Sequence, residues 1–233
     1  MHAASVVVPA RDEPRRLERT LDSLAAQAFD GSLEVIVVAS GDETLAAARA
    51  HPVAERVLVD DRRDGPGSAR NEGAAIAIGD VLLFTDADTV VPRAWVRAHL
   101  RHYATPAVVG VGGPLRPLAG TLRHDVLFRV LSDWWYRVSW PLGFVQQPGC
   151  NCSVRRSAFE AVGGFDDALS FLEDTDLSPR LREAGLVVYD HRCPVATSSR
   201  RQEREGYVSL FLAYLVGYLE YAIPGLSPTR EHF

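Results

Sequence analysis

The stretch Val81-Leu82-Leu83-Phe84-Thr85-Asp86-Ala87-Asp88-Thr89 sets an uninterrupted apolar run against two carboxylates separated by one residue. Four residues that are apolar on both faces read as a strand buried inside a sheet, and the acids mark where it reaches solvent. Working outward, the same rhythm of strand then helix recurs. Ser5-Val6-Val7-Val8-Pro9 is a β-branched run, and Leu17, Leu21, Leu24 and Ala25 follow at helical spacing before Gly31 ends the segment. Residues 33–38 then 43–50, 56–60 then 68–78, and 81–84 then 92–103 repeat the pattern. These alternations predict an α/β fold, an α/β/α sandwich with a central, mostly parallel sheet. Sheets of this kind bind ligands beyond the carboxyl ends of their strands, so the loops after Val8, Val38, Asp60 and Phe84 are expected to line one crevice.

If the chain stays extended past Phe84, Asp86 and Asp88 point the same way and form one pair of hard oxygen ligands. Magnesium and manganese favour such ligands and keep part of their shell for water and substrate phosphates, which suits a metal bridging a diphosphate. A solvated acidic loop is the alternative, since loops are generally polar. The position at the end of a buried strand favours the ligand reading.

Beyond Ala107 the alternation loosens. A strand is expected at 108–111 and a helix at 121–136. A short helix at 157–162 should end on Gly163-Gly164, and Glu173-Asp174-Thr175-Asp176 should open another that ends at Gly185. Residues 187–189 read as a last short strand. The expected organisation is one domain over 1–205, with a first half at 1–114 and a second half at 115–205. The tail, 206–233, begins with fourteen uncharged residues, GYVSLFLAYLVGYL. That run is shorter than the roughly twenty residues of a membrane span. Core packing, a homodimer contact and a membrane-surface helix are all open for it.

Composition excludes several classes. Thirty acidic against 25 basic residues give a formal charge of −5, with no electrostatic footprint for nucleic acid. Every basic residue is Arg, so a Schiff-base lysine and a Walker-type phosphate lysine are both ruled out. Three cysteines argue against a disulfide framework and for a reducing compartment. Cys150-Asn151-Cys152 lacks the spacer of paired zinc ligands. The opening residues carry no apolar leader, so the chain is expected in the cytoplasm, with attachment to the inner face of the membrane left open by the tail.

Four segments, in order, resemble glycosyltransferase family 2, nucleotide-sugar enzymes of the GT-A fold: VVVPARDE, VIVVASGDET, GPGSARNEGAAIAIGDVLLFTDADT, and GCNCSVRRSAFEAVGGFDDALSFLEDTDLSPRLREAG. The resemblance covers about 4–201 and implies that 1–114 is the nucleotide-sugar-binding half and 115–205 the acceptor-binding half. It implies an inverting transferase that moves a sugar from a nucleoside diphosphate, commonly of uridine or guanosine, to a hydroxyl acceptor. Pro9, Ala10, Arg11, Glu13, Ser40 and Asp42 would surround the base and ribose, and Arg70 would contact the nucleotide or its phosphates. Asp86 would face the ribose or metal-bound water, Asp88 would hold manganese or magnesium directly, and Ala87 lies between them. Asp174 would be the general base, with Glu173 orienting it or meeting the acceptor. Asn151 and Arg155 would lie beside the donor sugar and acceptor. Two departures stand out: Ala39 replaces a common acidic residue, and no His follows the last strand where relatives place a metal ligand. The aromatic group Trp134, Trp135, Tyr136 and Trp140 serves either core or acceptor. A non-catalytic nucleotide-sugar-binding protein and a sugar-phosphate nucleotidyltransferase are the competing classes. The latter lacks its glycine-rich basic loop here.

Overall fold

The computed structural model describes residues 4–61, 64–118, 147–169 and 171–222, with isolated positions between 122 and 130. The four expected strand and helix pairs form in order. They are β1 Ala4–Arg11, α1 Pro14–Ala25, β2 Leu33–Ser40, α2 Asp42–Ala50, β3 Arg56–Val59, α3 Pro66–Ile76, β4 Val81–Phe84, a two-residue β5 Thr89–Val90, and α4 Trp95–Leu100. A 3₁₀ turn, Arg101–Ala104, finishes the segment expected to be helical to residue 103. Then come β6 Val108–Gly112, β7 Leu115–Pro117, β8 Cys152–Arg155, α5 Arg156–Ala161, α6 Glu173–Ala184, β9 Leu186–Tyr189, β10 Val195–Thr197, α7 Arg200–Glu205 and α8 Tyr207–Ala222. The helix expected at 121–136 and the four aromatics at 134–140 fall outside the continuously described residues.

Seven strands make one sheet in the order β3-β2-β1-β4-β8-β6-β9. The left four are parallel, with Val7 paired to Ile36 and to Phe84. β8 runs antiparallel between β4 and β6. β1 to β3 step away on one side and β4 lies on the other, so a topological switch point falls between β1 and β4, where such sheets open a crevice.

Side-chain alternation along the strands feeds two cores. Val6, Val8, Val35, Val37 and Leu83 meet Leu17, Leu21 and Leu24 of α1 and Trp95 of α4 on one face. Val7, Ile36, Val38, Leu82 and Phe84 meet Ala69 and Ala74 of α3, Phe159 of α5 and Leu177 and Leu181 of α6 on the other. This is the expected sandwich. Helix α1 shows why the pattern folds so: Pro14 occupies its first turn, where no N–H is needed, and its three leucines are fully buried. Each contributes about 2 kcal/mol by leaving water.

The sequence pattern missed a second sheet, β5-β10-β7. β9 is not the last strand. β10 pairs antiparallel with β5, setting Thr197 opposite Thr89, directly after the acidic pair. Helix α6 begins at Glu173, as expected, and carries Pro179 inside it.

Candidate active site

The carboxyl ends of β1, β2 and β4 converge as the pattern requires. Arg11 and Ser40 are register partners at the ends of β1 and β2, behind Pro9 and the buried Ala10. The Glu13 N–H donates to Thr44 Oγ1 at 3.0 Å, tying the start of α1 to α2, while Asp42 is exposed in the first turn of α2. Gly41 has a φ of +89°, and a Cβ there would come within 2.3 Å of Asp12 Oδ1, so this corner needs glycine. Ser40 is 2% exposed, and its hydroxyl has no hydrogen-bond partner among the described residues.

Past β4, alternation turns Ala87 into the α1 core and leaves the acids on the crevice side. Thr20 Oγ1 donates to the Ala87 carbonyl at 2.8 Å and pins this turn. Asp88 accepts from Thr197 Oγ1 at 3.3 Å, and Arg200 Nε lies 3.8 Å from its other oxygen. Arg200 also pairs with Glu13, so one guanidinium from α7 spans from the start of α1 to the acidic pair. Burial and the neighbouring Asp86 push the Asp88 carboxyl up to about 6. Thr197 and Arg200 are thus the residues that β10 and α7 bring to Asp88. No local sequence signal reveals the Thr197 contact, because it depends on β10 returning to β5.

Asp86 faces a different partner. Arg70 Nη2 donates to Asp86 Oδ1 at 2.7 Å, and its Nη1 donates to Glu173 Oε1 at 2.7 Å. The Arg70 side chain is only 3% exposed. Arg70, expected to contact the nucleotide, forms a buried bridge between two carboxylates. Beside Glu173, Asp174 accepts the Gly149 N–H at 2.9 Å. Burial holds both carboxyls above the ordinary range, with the Asp174 charge adding to the effect on Glu173, while Arg70 opposes the shift at each. Asp176 turns elsewhere, to Arg180 Nε at 2.9 Å and Tyr221 Oη at 2.8 Å.

Two expected contacts are corrected by geometry. Asn151 is fully buried: its oxygen accepts from Trp95 Nε1 at 2.9 Å and stands 3.2 Å from His99 Nε2, while its nitrogen donates to the carbonyls of Pro114 and Cys193. That uses the amide's whole hydrogen-bonding capacity, leaving nothing for a sugar. Arg155 pairs with Val81, at the opposite end of β4 from the acids, and donates to the Val108 and Tyr103 carbonyls. The antiparallel course of β8 brings Cys152, not Arg155, to the crevice end.

The start of α6 is shaped from outside. Leu172 caps it with a φ of 65° while 2% exposed. Helix α8 lies against this corner: a Cβ on Gly217 would stand 2.6 Å from the Phe171 ring, and Tyr214 stacks on Phe171 at 4.9 Å between centroids. Among the described residues no helix is long and apolar enough to cross a membrane. Cys150, Cys152 and Cys193 are free and buried.

A mixed sheet with its switch point beside an acidic pair, faced by a second acidic pair on a covering helix, has the GT-A architecture. Residues 5–163 match the family model described as glycosyl transferase family 2, and the chain belongs to that family. It is 33% identical over 208 residues to the pre-mycofactocin glycosyltransferase of Mycobacterium tuberculosis (strain CDC 1551 / Oshkosh), covering 81% of this chain and 43% of that protein. It is 28% identical over 192 residues to the glycosyltransferase AglE of Haloferax volcanii, covering 78% and 62%. The chain thus spans less than two thirds of either relative. In fold it is similar to the mannosyltransferase PcManGT from Pyrobaculum calidifontis in complex with GDP-Man and Mn2+, with a TM-score of 0.71 and 22% identity, covering 92% of this chain and 64% of that one. It is also similar to GalNAc-T7 with UDP, GalNAc and Mn2+, with a TM-score of 0.66 and 18% identity, covering 85% and 44%.

Proposed function

We propose that the chain is an inverting glycosyltransferase that moves a sugar from a uridine or guanosine diphosphate sugar to a hydroxyl acceptor. The observation that carries this reading is the convergence of Asp86 and Glu173 on one buried guanidinium, which puts the strand-end acids and the α6 acids on one crevice. Pro9, Ala10, Arg11, Glu13, Ser40 and Asp42 hold the nucleoside in this reading. The partnerless hydroxyl of Ser40 supports it, because a buried polar group is ordinarily satisfied.

Asp86 and Asp88 fit a magnesium or manganese ion that keeps its remaining positions for diphosphate oxygens and water. Among the described residues no group of three or more His, Cys, Asp or Glu side chains could hold a metal, so Asp86 and Asp88 are the residues that would hold the ion. When bound, such an ion neutralises charge on the departing diphosphate. Arg200, beside Asp88, adds a second positive charge at that end. Asp174 takes the acceptor hydroxyl's proton as that oxygen attacks the anomeric carbon. The new C–O bond forms while the bond to the diphosphate oxygen breaks, its electron pair leaving with the diphosphate, and the configuration inverts. The Gly149 N–H fixes the orientation of the Asp174 carboxylate, and its raised pKa strengthens it as a base.

Helix α8 carries a second element of the proposal. Leu212 and Val216, one turn apart, are about half exposed. An apolar outer face next to the base segment supports a helix resting on the cytoplasmic surface of a membrane, near a lipid-linked acceptor. Thermal-shift titration with uridine and guanosine diphosphates and their sugars, with and without manganese, tests donor binding directly. Release of nucleoside diphosphate from the sugar donor then separates an enzyme from a binding protein. Failure of every nucleoside diphosphate to stabilise the chain would remove the reading.

A further inference from the structure

We propose that Arg70 is a positioning residue that fixes the spacing between the donor end and the base end of the crevice, and is not a ligand of the donor phosphates. The proposal rests on the functional reading above and deepens it. Arg70 lies on α3, Asp86 follows β4, and Glu173 opens α6, 103 positions further along the chain than Arg70. One planar group joins all three elements, each contact at 2.7 Å.

The surroundings are built to hold that group still. A Cβ on Gly149 would sit 2.9 Å from Arg70 Nη2, so the backbone packs against the guanidinium and only glycine fits. The Phe165 ring lies 5.5 Å from its central carbon. A Cβ on Gly67 would sit 3.2 Å from Glu173 Cγ, closing the other end. Arg70 Nε is buried without a hydrogen-bond partner. A guanidinium this enclosed cannot turn toward a phosphate in the crevice without abandoning two buried carboxylates, which is strongly unfavourable.

Its influence reaches Asp174 through the backbone. Gly149, which rests on Arg70, is also the residue whose N–H holds the Asp174 carboxylate. Arg70 thereby sets the Asp86 side chain, the Glu173 side chain and the peptide that aims the base. Lys cannot replace it, because an ammonium is a point charge without the planar fork that serves two carboxylates at once.

The test uses Arg70→Lys and Glu173→Gln, singly and combined, in the full chain. Three quantities are measured: uridine diphosphate affinity, release of uridine diphosphate from UDP-glucose at saturating donor with manganese chloride, and thermal stability. Arg70→Lys should keep affinity within about threefold of the unaltered chain. Its saturated rate should fall about 100-fold, as expected when a base loses its aim. The double variant should be no slower than the slower single variant, because both break one tie. Affinity lost with the saturated rate intact would make Arg70 a phosphate ligand and overturn the proposal, as would two unchanged values or fully additive rate losses. If Arg70→Lys does not fold, Glu173→Gln breaks the tie from its other end, and an unchanged saturated rate there overturns the proposal equally. The stability cycle needs no ligand, and additive losses in it also count against the tie. Failure of the functional reading would look different: the unaltered chain would bind neither uridine nor guanosine diphosphate.

Discussion

Thr197 and Asp88 are 109 positions apart, yet the Thr197 hydroxyl stands 3.3 Å from an Asp88 carboxylate oxygen. A three-residue strand returning to β5 creates that contact. The acidic pair is therefore steadied by a hydroxyl and approached by Arg200, with no imidazole in reach of it among the described contacts. Asp88→Ala should abolish the effect of manganese on uridine diphosphate binding while leaving thermal unfolding cooperative. Isothermal titration with and without manganese checks this, and a metal effect that survives would remove Asp88 from the site.

Asp174→Asn keeps the size of the side chain and an oxygen to receive the Gly149 N–H, but not the basic carboxylate. Donor binding should be retained and turnover should fall by about 100-fold to 10,000-fold. Nucleotide-release assays beside binding titrations would show it. Near-normal turnover would sink the assignment.

A third expectation concerns His99, which is fully buried between Ser153 Oγ at 2.8 Å and Asn151 Oδ1 at 3.2 Å. Burial lowers its pKa from 6.5 to about 4. Unfolding restores the ordinary value, so below about pH 6.5 the unfolded chain takes up a proton that the folded chain refuses. The stabilisation is thus complete above that pH and is lost as pH falls toward 4. At pH 5 the loss is about 2 kcal/mol relative to pH 7. Denaturant titrations at both pH values should show this drop in the unaltered chain and a smaller one in His99→Gln; equal drops would refute it.

Reading the sequence alone located the parallel half and the acidic pair because both are local. Val81–Phe84 is apolar on both faces, and Asp86 and Asp88 follow at once. The family resemblance placed Asn151 and Arg155 in the site because the segment around them matches the family's pattern. It had no access to the direction of β8, which depends on hydrogen bonds to β4 and β6. That direction carries Arg155 to the far edge of the sheet. Burial of Asn151 likewise depends on Trp95, Pro114 and Cys193, from three separate segments. Thr197 and Gly149 went unnoticed for the same reason, since each gains its role from a partner remote in sequence.

The tail yields a prediction with two arms. Gly217→Val would drive a side chain into the Phe171 ring, so turnover should fall while uridine diphosphate binding, which depends on the β1, β2 and β4 loops, persists. Deleting residues 206–233 should abolish flotation with anionic lipid vesicles and spare nucleotide binding. An intact chain that never floats would end the membrane part of the proposal, and a deletion that unfolds the protein would make α8 part of the core.

Leu172 adopts a backbone conformation that costs an ordinary residue about 1 kcal/mol, and it does so wedged against the tail helix. Local preference would not choose that bend; the neighbour imposes it. The first turn of α6 is therefore a borrowed geometry, lent by α8 to Glu173 and Asp174, the residues proposed to meet the acceptor. The proposed donor end is built instead on the ends of β1, β2 and β4. Changes on the α8 face that meets Phe171 would therefore act first on the proposed acceptor end, through the bend at Leu172.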